Sequence, residues 1–199
     1  MPTRLLIFLS FAASAGADRD LSTAITHPLV EAAREQIGVT TGYDPSYVSL
    51  KYPGGDVPEE TGVCTDVVVR AYRGLNFDLQ KEVHEDMKAN FSKYPGRWGL
   101  KKPDKNIDHR RVPNLQTFFE RKNAKQSISK KAAHYKPGDL VVWDLNDKGL
   151  LHIGLVSNRT SRNGTPLVIH NIGSGAREEN RLFDFTIIAR YRFTPLRRK

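Results

Sequence analysis

Cys64 is the only cysteine among 199 residues, and it follows Gly62-Val63 at the start of a run with helical spacing. A cysteine in the first turn of a helix faces unpaired backbone N–H groups and a partial positive charge, both of which favour thiolate over thiol. Two histidines follow in apolar segments. His152 sits in Leu151-His152-Ile153-Gly154-Leu155-Val156, and His170 ends Leu167-Val168-Ile169-His170 and precedes Asn171. A thiol, an imidazole base and a second polar group that orients the base are the parts nucleophilic acyl transfer requires. Taken singly, the cysteine reads as a small buried hydrophobe and each histidine as a satisfied strand residue; the combination points to chemistry. The same residue types could hold a zinc ion with one water. A cysteine at a helix start suits a nucleophile better, so neither metal nor cofactor is expected. A nucleophile of this kind should be alkylated along a titration well below the ordinary thiol value of about 8.5.

Other polar groups are candidates for holding a substrate. Asp108-His109-Arg110-Arg111 could clamp a carboxylate or phosphate, because a guanidinium binds such oxyanions through two parallel hydrogen bonds. The plainer alternative is a solvated loop with local ion pairs. From this stretch His109 and Arg110 are taken as substrate-binding candidates. Asp66 joins them, since it could orient a substrate amine or equally support the helix terminus. Tyr52 could form an aromatic platform in the cleft or pack its own loop. His84-Glu85-Asp86 reads as an exposed helix face, and Trp98 and Trp143 as core or rim residues.

These side chains need elements to position them. Residues 27–37 have amphipathic helical spacing, with Thr26 as cap, Pro28 in the first turn and Gly38 at the end. Residues 39–62 hold repeated Gly and Pro and read as a long loop, a length that is usually functional or disordered. Helices are predicted over 63–73, 79–91 and 113–122, with irregular structure between 92 and 113. The pattern then changes period. Strands are predicted over 140–143, 151–157, 166–170 and 185–193, separated by turn residues such as Asn163-Gly164. Helices followed by strands describe an α+β domain with an antiparallel sheet. A two-residue turn at Asn163-Gly164 would set His152 opposite residue 175 and leave His170 on the other face. Direct pairing of His152 with His170 needs a wider loop or a bulge, and an intermediate register could instead present Asn171.

The N-terminus reads as an export signal over residues 1–17: Arg4, the apolar run Leu5 to Ala13, and small residues at Ala15-Gly16-Ala17. Residues 18–199 then form a single domain, periplasmic or secreted and monomeric. No membrane span is expected, because no apolar run approaches the roughly 20 residues required. The formal net charge is +9, which attracts polyanions such as cell-wall polymers. The basic residues are scattered and no nucleic-acid module is recognisable, so no nucleic-acid partner is expected.

The order Gly62-Val63-Cys64, Pro137-Gly138-Asp139-Leu140-Val141, His152-Ile153-Gly154 and Ile169-His170 is similar to the NlpC-like branch of papain-fold cysteine peptidases. More closely, nearly the whole mature chain resembles the bacterial domain-of-unknown-function family 1287. That resemblance rests on Tyr52 to Pro58, Gly62 to Val68, Val83 to Met87, Asn106 to Leu115 and His170 to Gly173. It implies a papain-like α+β core with N-terminal helices packed on the sheet. Cys64 would be the nucleophile, His152 the base and later the acid, and His170 the group orienting His152. It also implies amide cleavage in peptidoglycan or another envelope peptide. Acyl transfer by the same thiol, or a non-catalytic envelope-binding module, are the alternatives. NlpC-like relatives commonly carry an aspartate directly before the cysteine to grip a substrate amine; here that position is Val63 and the nearest acid is Asp66.

Overall fold

The computed structural model describes residues 27–195, so the predicted export segment, the Thr26 cap and the terminal Arg197-Arg198-Lys199 lie outside the described residues. Helix α1 (Pro28–Arg34) opens on a proline, whose missing N–H costs nothing there. It is shorter than the spacing predicts, because the chain turns at Glu35 and leaves through Gly38 at φ 85°. Helix α2 (Cys64–Arg73) begins after Val63, a residue that cannot cap. Asp66 substitutes by reaching back, its Oδ2 accepting the Val63 N–H at 2.7 Å. Helix α3 (Leu79–Asn90) is capped by Asp78, which accepts from the Gln80 N–H, and α4 spans Val112–Arg121.

The long loop over 39–62 is pinned to these helices. Arg70 donates to Asp56, to the Thr40 hydroxyl and to the carbonyls of Val57, Pro58 and Thr61. Gln80 accepts the Gly55 N–H and donates to the Lys51 carbonyl. Only glycine fits at position 55, since a β-carbon would lie 2.0 Å from the Lys51 oxygen. Of the two expectations for this loop, disorder is not found: its backbone is pinned by named side chains.

The sheet is antiparallel, in the order β1 (Lys125–Gln126), β6 (Thr186–Tyr191), β2 (Leu140–Asp144), β3 (Leu151–Thr160), β4 (Pro166–His170), β5 (Arg177–Glu179). The expected α+β class is found. Strands β1 and β5 have too few residues to leave a periodic signal and are additions to the predicted set. Alternation splits the sheet. Leu140, Val142, Ile153, Leu155 and Ile169 join the helices in the main core, with Cys64 among them. On the other face, Val141, Trp143, Val156 and Val168 form a second core with Tyr135 and Leu182. No helix among the described residues is long and apolar enough to cross a membrane.

Strands β3 and β4 pair with Leu155 opposite Ile169 and Val156 opposite Val168, and the register shifts before Thr160 opposite Pro166. One further step sets His170 opposite Gly154, hence diagonal to His152 on the same face. The register is intermediate between the tight-turn and direct-pairing alternatives, and the irregularity near the hairpin end makes it possible.

Candidate active site

The two histidines meet through this diagonal. His152 Nε2 and His170 Nδ1 are 2.8 Å apart, both rings almost fully buried. His170 Nε2 lies 3.2 Å from Glu179 Oε2 on β5. Trp143, opposite His152 in the register, stacks on its ring with centroids 5.7 Å apart and also flanks His170. Its own indole N–H donates to the Leu182 carbonyl at 3.0 Å. Gly154 makes this packing possible. A β-carbon there would stand 3.0 Å from that of His170 and 3.1 Å from the Trp143 ring. The space beside Gly154 thus belongs to the second histidine and the tryptophan.

The chain of contacts fixes which nitrogen carries a proton. A carboxylate only accepts, so His170 Nε2 carries the hydrogen that meets Glu179. His170 Nδ1 is then the acceptor and takes the hydrogen of His152 Nε2. His152 Nδ1 is left with a free lone pair, the form a general base needs. Burial, reinforced by His170, pushes His152 down to about 3, so its ring is neutral at ordinary pH.

Cys64 begins α2 as the spacing predicts, but its surroundings differ from the expectation of a stabilised thiolate. Burial pushes the thiol up to about 11, and the Asp66 charge adds to that. Hydrogen bonds from the backbone of Ile153, Thr65 and Cys64 itself act the other way and are outweighed. Desolvation therefore exceeds the helix-terminus effect. The backbone of Ile153, the β3 residue next to His152, lies against the sulfur. Among the described residues no hydrogen bond joins the thiol to the imidazole.

Asn171, the other candidate for orienting His152, turns elsewhere. Its amide donates to the carbonyls of Gly42 at 3.0 Å and Gly62 at 2.9 Å, which fastens the backbone leading into Cys64 to the end of β4. The room beside Gly62 is taken by the Asp66 side chain and the Arg70 guanidinium, each within 3.4 Å of a β-carbon placed there. No group of three or more His, Cys, Asp or Glu among the described residues is arranged for a metal ion.

A cleft of about 440 Å³ opens at Cys64 between Tyr43, Tyr47, Trp98, Arg97, Arg110, Arg111 and Leu151. Of the four substrate-binding candidates, Arg110 lines it. Asp66 lies just beneath, making a two-bond pair with Arg110, Nε to Oδ1 and Nη2 to Oδ2, both at 2.9 Å. Arg110 also donates to the carbonyls of Ser46 and Asp44, so each of its nitrogens is engaged. Tyr52 packs edge-on against His84, away from the cleft. His109 is buried elsewhere, with Nδ1 unpartnered, and burial pushes it down to about 4. Glu179, Trp143 and Arg111 are the residues this site adds to the sequence reading. Of these, Arg111 was already part of the stretch read as a possible oxyanion clamp and Trp143 was read as a core or rim residue, whereas Glu179 carried no signal.

A family model described as domain of unknown function (DUF1287) matches residues 30–193, and the chain belongs to that family. The uncharacterized protein YijF of Escherichia coli (strain K12) is 58% identical over 165 residues, covering 83% of this chain and 80% of that protein. Among solved structures, a protein from Staphylococcus aureus described as similar to lipoprotein, NLP/P60 family, aligns at 15% identity with a TM-score of 0.39. That alignment covers 82% of this chain and 41% of the other, so the chain spans about two fifths of that protein's length.

Proposed function

We propose that this member of the family is an exported cysteine hydrolase that cleaves an amide bond in envelope peptide, with peptidoglycan as the favoured substrate. The observation that carries the proposal is the Glu179–His170–His152 chain, with both imidazoles buried, which leaves a bare Nδ1 on the histidine next to Ile153, whose backbone lies against Cys64. The partner on one ring nitrogen fixes which form the other nitrogen takes, and here that partner is itself held by Glu179.

In this scheme the thiol proton passes to His152 Nδ1 as the sulfur attacks the carbonyl carbon. The C–N bond then breaks while His152 returns that proton to the departing amine. His152 next removes a proton from water, the resulting hydroxide attacks the acyl-enzyme, and the thiol is restored. Both groups rest neutral, so proton transfer accompanies attack instead of preceding it. The hydrogen bond between them forms only with substrate in place, a tightening common in such sites. The Cys64 N–H at the helix start supports the developing oxyanion. On this proposal the chain acts in the periplasm or outside the cell, as a monomer, after loss of residues 1–17.

Incubating native and Cys64→Ala protein with purified peptidoglycan and comparing released fragments by mass spectrometry tests the proposal. Fragments are expected from the native protein alone. Equal release by both proteins, or release by neither, would sink it. The buried, raised thiol favours a second reading, a binding module that keeps the fold. It predicts undiminished peptidoglycan binding by Cys64→Ala and no fragments.

A further inference from the structure

Arg110 and Arg111 are neighbours in sequence and opposites in the cleft. Every nitrogen of Arg110 is committed to Asp66 and to loop carbonyls. The Arg111 guanidinium, by contrast, has no hydrogen bond or ion pair among the described residues, and its Nη1 is buried without a partner. It sits over the Trp98 ring, 4.1 Å from the centroid. Trp98 itself is half exposed on the cleft rim, held there by a left-handed backbone at φ 60° followed by Gly99 at φ 65°. Bulky side chains seldom adopt that conformation, so the presentation of this ring is imposed by its surroundings. The lining of the cleft contains three arginines and no aspartate or glutamate. With Arg110 neutralised by Asp66, Arg97 and Arg111 line the cleft without a contacting carboxylate, and Asp108 and Asp104 act on Arg111 only from farther off.

We propose that Arg111, backed by Trp98, is a carboxylate-recognising subsite, and that the substrate carries a free carboxylate close to the bond presented to Cys64. This rests on the hydrolase reading and narrows its substrate class. A planar guanidinium held over an aromatic ring offers two parallel donors at the spacing of carboxylate oxygens, and little rotamer freedom is lost when they engage. Burial lowers the affinity of Arg111 for its proton, yet an arginine stays charged, and an unpaired buried donor gains most from an anionic partner. The same surface disfavours a substrate that presents a free amine, for which the cleft offers no acid.

Two acetylated tripeptide mixtures test the subsite, identical except that one ends in a free carboxylate and the other in a carboxamide. Each is titrated into Cys64→Ala protein, where no turnover can consume it, and the Trp98 indole N–H is followed by NMR. Its Trp143 counterpart serves as a control for the fold. The carboxylate mixture should shift the Trp98 signal with a midpoint at least about tenfold lower than the carboxamide mixture. Arg111→Gln should erase that preference, and Arg111→Lys should keep part of it. Equal midpoints, no shift with either mixture, a preference surviving Arg111→Gln, or equal displacement by inorganic phosphate would overturn the subsite. A carboxylate preference in a protein whose native form releases no fragments would leave the subsite standing and remove the hydrolase reading.

Discussion

At Cys64 two opposing effects act on one sulfur. The helix start and the nearby backbone N–H groups of Ile153, Thr65 and Cys64 favour the thiolate, while burial penalises it and pushes the thiol up to about 11. An acid whose value is raised ionises only as pH rises through that value. The rate of iodoacetamide modification in the free protein is therefore expected to climb until about pH 11. At pH 8 it should run roughly a hundredfold below that of the unfolded chain, following the ratio of thiolate fractions. A plateau below pH 8, lost in His152→Ala, would show instead a preformed ion pair. Residue type and order were legible in the sequence here, and so was the position of Cys64 at a helix start. Its ionisation was not, because desolvation depends on which chain segments close over the sulfur. The division of labour between Arg110 and Arg111 was hidden for a similar reason: a short 3-10 turn over Asp108–Arg110 decides which guanidinium points inward.

At the scale of the element, α2 carries the nucleophile and is fastened from beneath. Asp66 caps its first turn and holds Arg110, with both side chains almost fully buried. Removing the charge of one partner strands the other. Asp66→Asn should thus cost about 3–5 kcal/mol of stability, measured by denaturant unfolding. Arg110→Met in the same background should recover part of that loss; a loss below about 1 kcal/mol would show that the pair is incidental. The hydrophobic strands β2 to β4 were readable because short apolar, β-branched runs bounded by turn residues are consistent with buried strands. Strand β5 was not. Its three residues, Arg177-Glu178-Glu179, are charged and become a strand only by pairing with β4. Glu179 was hidden along with it, although it completes the histidine chain.

At the scale of the whole molecule, the sheet separates two cores, and the histidines pack against Trp143 of the smaller one. Trp143 links that core to the site, filling space against both rings and bonding Leu182. Trp143→Ala is expected to lower stability by about 3–5 kcal/mol, read from chemical denaturation, and to broaden the imidazole NMR signals of His152 and His170. Sharp, unshifted signals would mean that the rings are held without it. The split into a helical half and a strand half followed from the change of hydrophobic period. The second core did not, since its members arrive from residues 135, 141, 143, 156, 168 and 182. The end of β4 adds one more consequence. His170 and Asn171 are joined by a single rigid peptide plane and point in different directions, one to the ring of His152 and the other to the backbone before Cys64. The two halves of the site are thereby aligned to a common fixture. A displacement of that strand end would carry both together, preserving their relative alignment while the rest of the domain breathes.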